Sequence, residues 1–230
     1  MFFDQGLLIV AVAIFVASHY LMSHPFRTAL VNAFGTNGFR IVYSLVSVVE
    51  LLAVFLAYHF APHGLPFWSA GNLLLQTSAD IIGYFAVVLF AASLSDNPGL
   101  VGGSLNGLST RLPTGVYRVT RHPMMFAIAI WSTVHIMLIP TSRNIVSCVP
   151  IVVLALVGAS LQDAKLIALT GREWRQWAER TPFLPDLRQI GAIGLPWITA
   201  LPVWLLATWV ETRAAAVPTG LWYLIPDLPY

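Results

Sequence analysis

Charge is scarce in this sequence. Of 230 residues, 12 are Lys or Arg and 10 are Asp or Glu, so charged residues make up only 10% of the chain. A soluble domain carries about 25%, and a water-facing surface cannot be covered with so few. Cysteine is nearly absent. Cys148 stands alone, which excludes an internal disulfide framework and a Cys-x-x-Cys-His attachment site for covalent heme. There is no Gly-rich phosphate loop, no nucleophile elbow and no His-Glu-x-x-His. The alternating strands of a membrane barrel are missing too. A net charge of +2 is too small to argue for nucleic acid, and no nucleic-acid partner is expected. No Arg-rich, Ser-rich transit peptide is visible. The first apolar stretch has no basic residue before it and no small-residue cleavage site after it, so it is expected to be a retained span.

What the chain has is apolar length. Hydrophobic residues make up 57% and the mean hydropathy is +0.76. Lipid must therefore be the solvent for most of the surface. A membrane helix needs about 20 mostly apolar residues, and six stretches qualify: 7–22, 39–59, 73–94, 124–140, 145–167 and 193–210. Irregular backbone cannot face lipid, so these are expected to be helices. The expected fold is all-α, a polytopic integral membrane bundle of about six transmembrane helices, forming one domain over 1–230 with a tail at 211–230. The links carry turn chemistry: Gly35, Asn37 and Gly38; then Pro62, Gly64, Pro66 and Gly71; then Asn97-Pro98-Gly99 and Gly102-Gly103. The tail holds Pro218, Pro226 and Pro229 with Trp222 and Tyr223.

The basic residues set an orientation. The links between spans one and two, three and four, and five and six hold Arg27, Arg40, Arg111, Arg118, Arg121, Lys165, Arg172, Arg175, Arg180 and Arg188. The opposite side holds only Arg143 and Arg213. This split predicts an inner-membrane protein with both termini in the periplasm. The 165–188 segment, with Trp174 and Trp177, is expected to lie as an amphipathic helix on the cytoplasmic surface.

Ionisable residues inside a membrane are functional candidates by default. His19 falls late in span one and His135 inside span four. A neutral imidazole on each of two helices is one way to hold a non-covalent heme in a bundle; bridging to a neighbouring helix is the other role open to each ring. On ideal helix geometry His19 lies roughly 8 Å, and His135 roughly 18 Å, from the cytoplasmic end of its span. His122 matches His19 in depth better. Tyr117-Arg118-Val119-Thr120-Arg121-His122-Pro123 is the densest polar cluster. Arginine forks suit carboxylates, so Arg121 is suited to heme propionates or a cofactor carboxylate. His59 and His63 share a helix face at an outer end, without further ligands for a metal. Glu50, Asp80 and Asp163 are intramembrane or near-membrane carboxylates. Asp163 could pair with Lys165 or Arg121.

In these residues the chain resembles the NnrU family, which includes the 15-cis-ζ-carotene isomerases. The resemblance covers most of 14–185. It rests on Ser18-His19, Pro25-Phe26-Arg27, Phe39-Arg40 and Tyr43-Ser44-Leu45-Val46-Ser47. It continues through Thr120-Arg121-His122-Pro123-Met124, Ile130-Trp131, His135, Gly158, Asp163 and Arg180-Thr181-Pro182. The resemblance implies a membrane protein holding heme b, with His19 and His135 as axial ligands; by depth, His122 is the alternative partner of His19. Arg27, Arg40, Arg121 and His122 are then expected along the cytoplasmic side of that site. The implied activity is cis-trans isomerisation of a polyene, a hydrophobic small molecule, or an accessory role in nitrogen-oxide reduction during denitrification. In the isomerase a cysteine that can replace the second histidine stands where this chain has Ser132. A second resemblance, through Arg-His-Pro after a long loop, is to isoprenylcysteine carboxyl methyltransferases and nurim-like thiol methyltransferases. It implies S-adenosylmethionine held by Arg121 and His122, although the Gly and paired Glu of those proteins are missing here.

Overall fold

The structure is a computed structural model that describes residues 5–100, 103, 105, 107–215 and 219–225. Gly102, Pro218, Pro226 and Pro229 lie outside the described residues, as does the Tyr223 side chain. Among the described residues seven helices follow in chain order: α1 Gly6–Ser23, α2 Arg27–Phe60, α3 Leu73–Ser93, α4 Pro123–Leu138, α5 Ser142–Thr170, α6 Arg172–Arg180 and α7 Pro196–Ala215. Short 3-10 turns occupy Gly115–Arg118, Leu187–Ile193 and Gly220–Leu224. Local chemistry starts the helices where expected. The Asn72 side chain accepts the Leu75 amide at 2.8 Å at the head of α3. Pro123 opens α4, where its missing N–H costs nothing.

Helices α1, α2, α3 and α5 are long and apolar enough to cross a membrane. A fifth candidate arises if Leu187–Ile193 and α7, bent by 93°, form one span. With 16 residues, α4 rises about 24 Å, short of a hydrocarbon core of about 30 Å. The expected six spans thus become four or five full-length candidates and one short apolar helix.

Successive helices run in alternating directions. At one end the Gln5 side chain donates to Ser142 Oγ at 2.6 Å, and the Phe67 amide donates to the Pro140 carbonyl at 2.8 Å. At the other, basic end Arg121, Asp163 and Trp174 converge. Helix α1 packs on α2 and α5, α4 on α3 and α5, and α7 on α3. The apolar core divides accordingly. Leu8, Val12, Val54 and Ala57 join α1 to α2. A larger cluster around Val88, Leu89, Phe126, Trp174, Trp177 and Trp204 joins α3, α4, α6 and α7.

Two local expectations are corrected. The 32–38 segment is not a loop between spans. Helix α2 begins at Arg27 and runs through it, and the turn residues produce a bend at Gly35, whose φ of 69° and ψ of 170° are non-helical. The 165–188 segment is not one surface helix. Helix α5 continues to Thr170, Gly171 breaks it at φ 58°, and α6 follows. Trp174 and Trp177 are fully buried rather than spread on lipid, because α6 folds back against the bundle and Tyr117 stacks edge-on against Trp177.

The Gly35 backbone lies in a region essentially restricted to glycine. Gly35→Ala is expected to cost about 1–3 kcal/mol, although a Cβ there would meet nothing within 4 Å. Thermal unfolding in detergent checks this, with Gly71→Ala, also in open space, as a neutral control.

Candidate functional site

At the basic end, the turn before α4 presents Arg121 and His122 to the last turns of α5. The Arg121 guanidinium grips Asp163 through Nε at 2.9 Å and Nη2 at 2.7 Å, and its Nη1 donates to the Thr181 carbonyl at 2.8 Å. The Arg121 amide donates to the Pro182 carbonyl at 2.9 Å, and Phe183 covers the guanidinium at 5.1 Å. His122 Nε2 lies 2.9 Å from Asp163 Oδ1, and its Nδ1 lies 3.0 Å from Gln162 Oε1. The Trp174 indole donates to Asp163 Oδ1 at 2.9 Å. Every nitrogen of Arg121 and both of His122 are thus engaged inside the protein. Of the two partners anticipated for Asp163, Arg121 is the one found.

His19 sits elsewhere, between α1 and α2. Its Nδ1 donates to the Phe15 carbonyl at 2.8 Å, and its Nε2 lies 3.2 Å from Ser47 Oγ. Glu50 Oε2 accepts from Ser18 at 2.6 Å and lies 3.8 Å from the ring. Arg27 rests over the Phe39 ring at 5.9 Å. Arg40, His59 and His63 are exposed. Among the described residues no group of three or more His, Cys, Asp or Glu is placed to hold a metal ion.

His135 forms a third cluster, between α4, α3 and α7. Its Nδ1 donates to the Trp131 carbonyl at 2.8 Å, and its Nε2 lies 2.9 Å from Glu211 Oε1 on α7. Asp80 on α3 accepts the Gly220 amide at 2.9 Å. Two spaces meet here. A small cavity of about 20 Å³ is lined by Asp80, His135, Thr208, Glu211 and Thr219, among others. A larger groove of about 530 Å³ lies between α3, α4 and α7. Its wall is apolar, with Val87, Phe90, Trp131 and Val203, except for Ser132 and Glu211. Trp131 and Glu211 line both spaces.

Nearly the whole chain has a counterpart among known families. The family model described as NnrU protein matches residues 7–216. The chain belongs to the NnrU family. No curated protein and no solved structure gave a match. Within this NnrU chain, His19 and His135 each have the ring geometry of a ligand, with Nδ1–H held by a backbone carbonyl. They do not meet. Helix α1 packs on α2 and α5, whereas α4 packs on α3 and α5, and each Nε2 has its own protein partner. In this arrangement each imidazole is held within its own cluster of helices.

Glu211 is the functional residue that reading the sequence missed. It falls beyond the expected end of the last span, at 210, and so looked like part of the tail. A lone carboxylate just past a helix of such apolar character was the available clue, since α7 in fact runs to Ala215.

Two outcomes follow for the basic end. Side-chain exposure is 13% for Arg121 and 15% for Asp163, so removing the carboxylate strands a buried cation. Asp163→Ala is expected to destabilise by about 3–5 kcal/mol, measured by thermal unfolding in detergent. Glu173 on α6 accepts the Ser109 amide at 2.7 Å. That bond, helped by the Ser109 side chain and by Arg172 and Arg180, holds the Glu173 carboxyl below the usual range. The docking of the 107–110 turn is therefore in force above the unfolded carboxyl pKa and is lost as pH falls through the lowered folded value. The protection factor of the Ser109 amide against hydrogen exchange should fall over that interval.

Proposed function

We propose that this NnrU protein binds an extended apolar small molecule in the groove between α3, α4 and α7, with the His135–Glu211 pair acting as acid and base on it. The supporting observation is the composition of the groove wall. A volume of about 530 Å³ falls in the range of small-molecule sites, and two polar groups, Ser132 and Glu211, interrupt an otherwise hydrocarbon surface. A passive lipid contact has no use for an intramembrane carboxylate. The groove favours chemistry on a polyene-like molecule over a nitrogen-oxide role, because a nitrogen oxide of two or three atoms would fill only a small part of its volume. The basic end is assigned to the cytoplasmic face of an inner membrane on the distribution of Lys and Arg.

Heme b is the cofactor that the family resemblance implies, but no step is assigned to it. His19 and His135 belong to clusters on different helix pairs. The methyltransferase reading receives no support from the geometry, since the donors of Arg121 and His122 are already used within the protein.

Trp131 lines the groove, so a conjugated polyene bound there should quench its fluorescence in the purified protein. Ala207→Trp, which fills the groove from α7, is expected to weaken that binding about tenfold or more, or about 1.4 kcal/mol. Equal affinity in the variant, or no quenching in the natural protein, sinks the reading. A Soret band in protein from heme-replete cells, lost in both His19→Ala and His135→Ala, would overturn it in favour of a heme held by both histidines.

A further inference from the structure

Asp80 has an unexplained oxygen. Its Oδ1 accepts the Gly220 amide, while its Oδ2 is buried without a hydrogen-bond partner. An ionised oxygen so placed would be desolvated with no donor. The space beside it is the small cavity of about 20 Å³, large enough for one water. The hydroxyls on the wall are already committed. Thr208 Oγ1 donates to the Trp204 carbonyl at 2.8 Å and accepts the Trp222 indole at 3.0 Å. Thr219 Oγ1 donates to the Thr208 carbonyl at 3.1 Å. The ionisable groups left for a water are the carboxyls of Asp80 and Glu211, with the Trp131 and Trp204 indoles on the same wall.

Hydrogen counting adds a second observation. His135 faces two acceptors, the Trp131 carbonyl on Nδ1 and Glu211 on Nε2. A neutral ring beside an ionised carboxylate offers one hydrogen for two bonds. The pair therefore holds one more, either on the ring or on the carboxyl. The titratable groups that share the cavity with Asp80 are His135 from α4 and Glu211 from α7. The Gly220–Leu224 turn contributes the Gly220 backbone amide. Cys148 on α5 lies within electrostatic reach of Glu211.

We propose that Asp80, one water and the His135–Glu211 pair form a membrane-buried proton-exchange site that opens onto the groove through Glu211. The outlet rests on the groove being a ligand site. When the pair has given its proton to a double-bond carbon of a bound polyene, whose π electrons form the new C–H bond, the Asp80 Oδ2–H bond breaks and its hydrogen passes to the water oxygen. One O–H bond of that water breaks in turn, and its hydrogen passes to the pair. Asp80 is left as a carboxylate on the Gly220 amide, the water is restored, and nothing is oxidised or reduced. Uptake runs the same steps backwards.

Infrared difference spectroscopy on the full chain in lipid, without ligand, tests the site. At neutral pH the natural protein should show the C=O stretch of a protonated carboxyl, shifted down in D₂O. Asp80→Asn keeps the acceptor for Gly220 and should lose that band, and Glu211→Gln should displace its frequency. A natural protein without the band overturns the proposal with no variant needed, and so does an Asp80→Asn protein that retains it unchanged. Polyene quenching separates the two readings. Quenching without the band removes the proton site and leaves the groove. The band without quenching removes the groove and leaves the site.

Discussion

One carboxylate holds the basic end of the bundle together. Asp163 accepts from the Arg121 fork, the His122 ring and the Trp174 indole at once. These donors come from the turn before α4 and from α6, and Arg121 reaches on to the carbonyls that follow α6. Four segments therefore share one anion. Desolvating such a group is costly unless its partners are present and well oriented, and here charge-assisted bonds from two cationic or potentially cationic side chains satisfy it. Burial of Trp174 and Trp177, and with it the core around α3 and α4, depends on α6 staying where Asp163 anchors it.

From that anchor the rest of the architecture divides. Helix α5 is the wall that both halves share. On one side α1 and α2 enclose Ser18, His19, Ser47 and Glu50. On the other, α3, α4 and α7 enclose Asp80, His135 and Glu211. Each half supplies the partners of its own histidine, which explains how two histidines of similar local geometry are each occupied without meeting. The groove belongs entirely to the second half, and the stabilising hub at the basic end is not part of its wall. Stability and the proposed chemistry thus draw on different residues.

Much of this was legible in the sequence. Apolar length located the helices to within a few residues at most ends, because lipid leaves the backbone no alternative to helix. The family was legible through ordered fragments such as Thr120-Arg121-His122-Pro123-Met124. Gly35 signalled a break, but a glycine cannot say whether the chain turns or merely bends. Trp174 and Trp177 read as interfacial because their spacing with charged neighbours is amphipathic, and the partner that buries them, Tyr117 among others, is remote in sequence. The pairings were the least legible part. His135 and Glu211 are 76 residues apart, and no local pattern announces such a contact. The likeness of His19 and His135 as candidate ligands came from residue type, whereas their separation is a matter of which helices pack.

The self-contained first half has a consequence for how the protein enters its membrane. The Ser18, His19, Ser47 and Glu50 contacts all lie within the hairpin of α1 and α2, so that hairpin can leave the translocation machinery with those four side chains already matched. His135 has no such local partner for its Nε2 until α7 is made. During synthesis α4 must wait, half-finished, for the last helix, and the order of insertion is thereby written into which carboxylate each histidine takes.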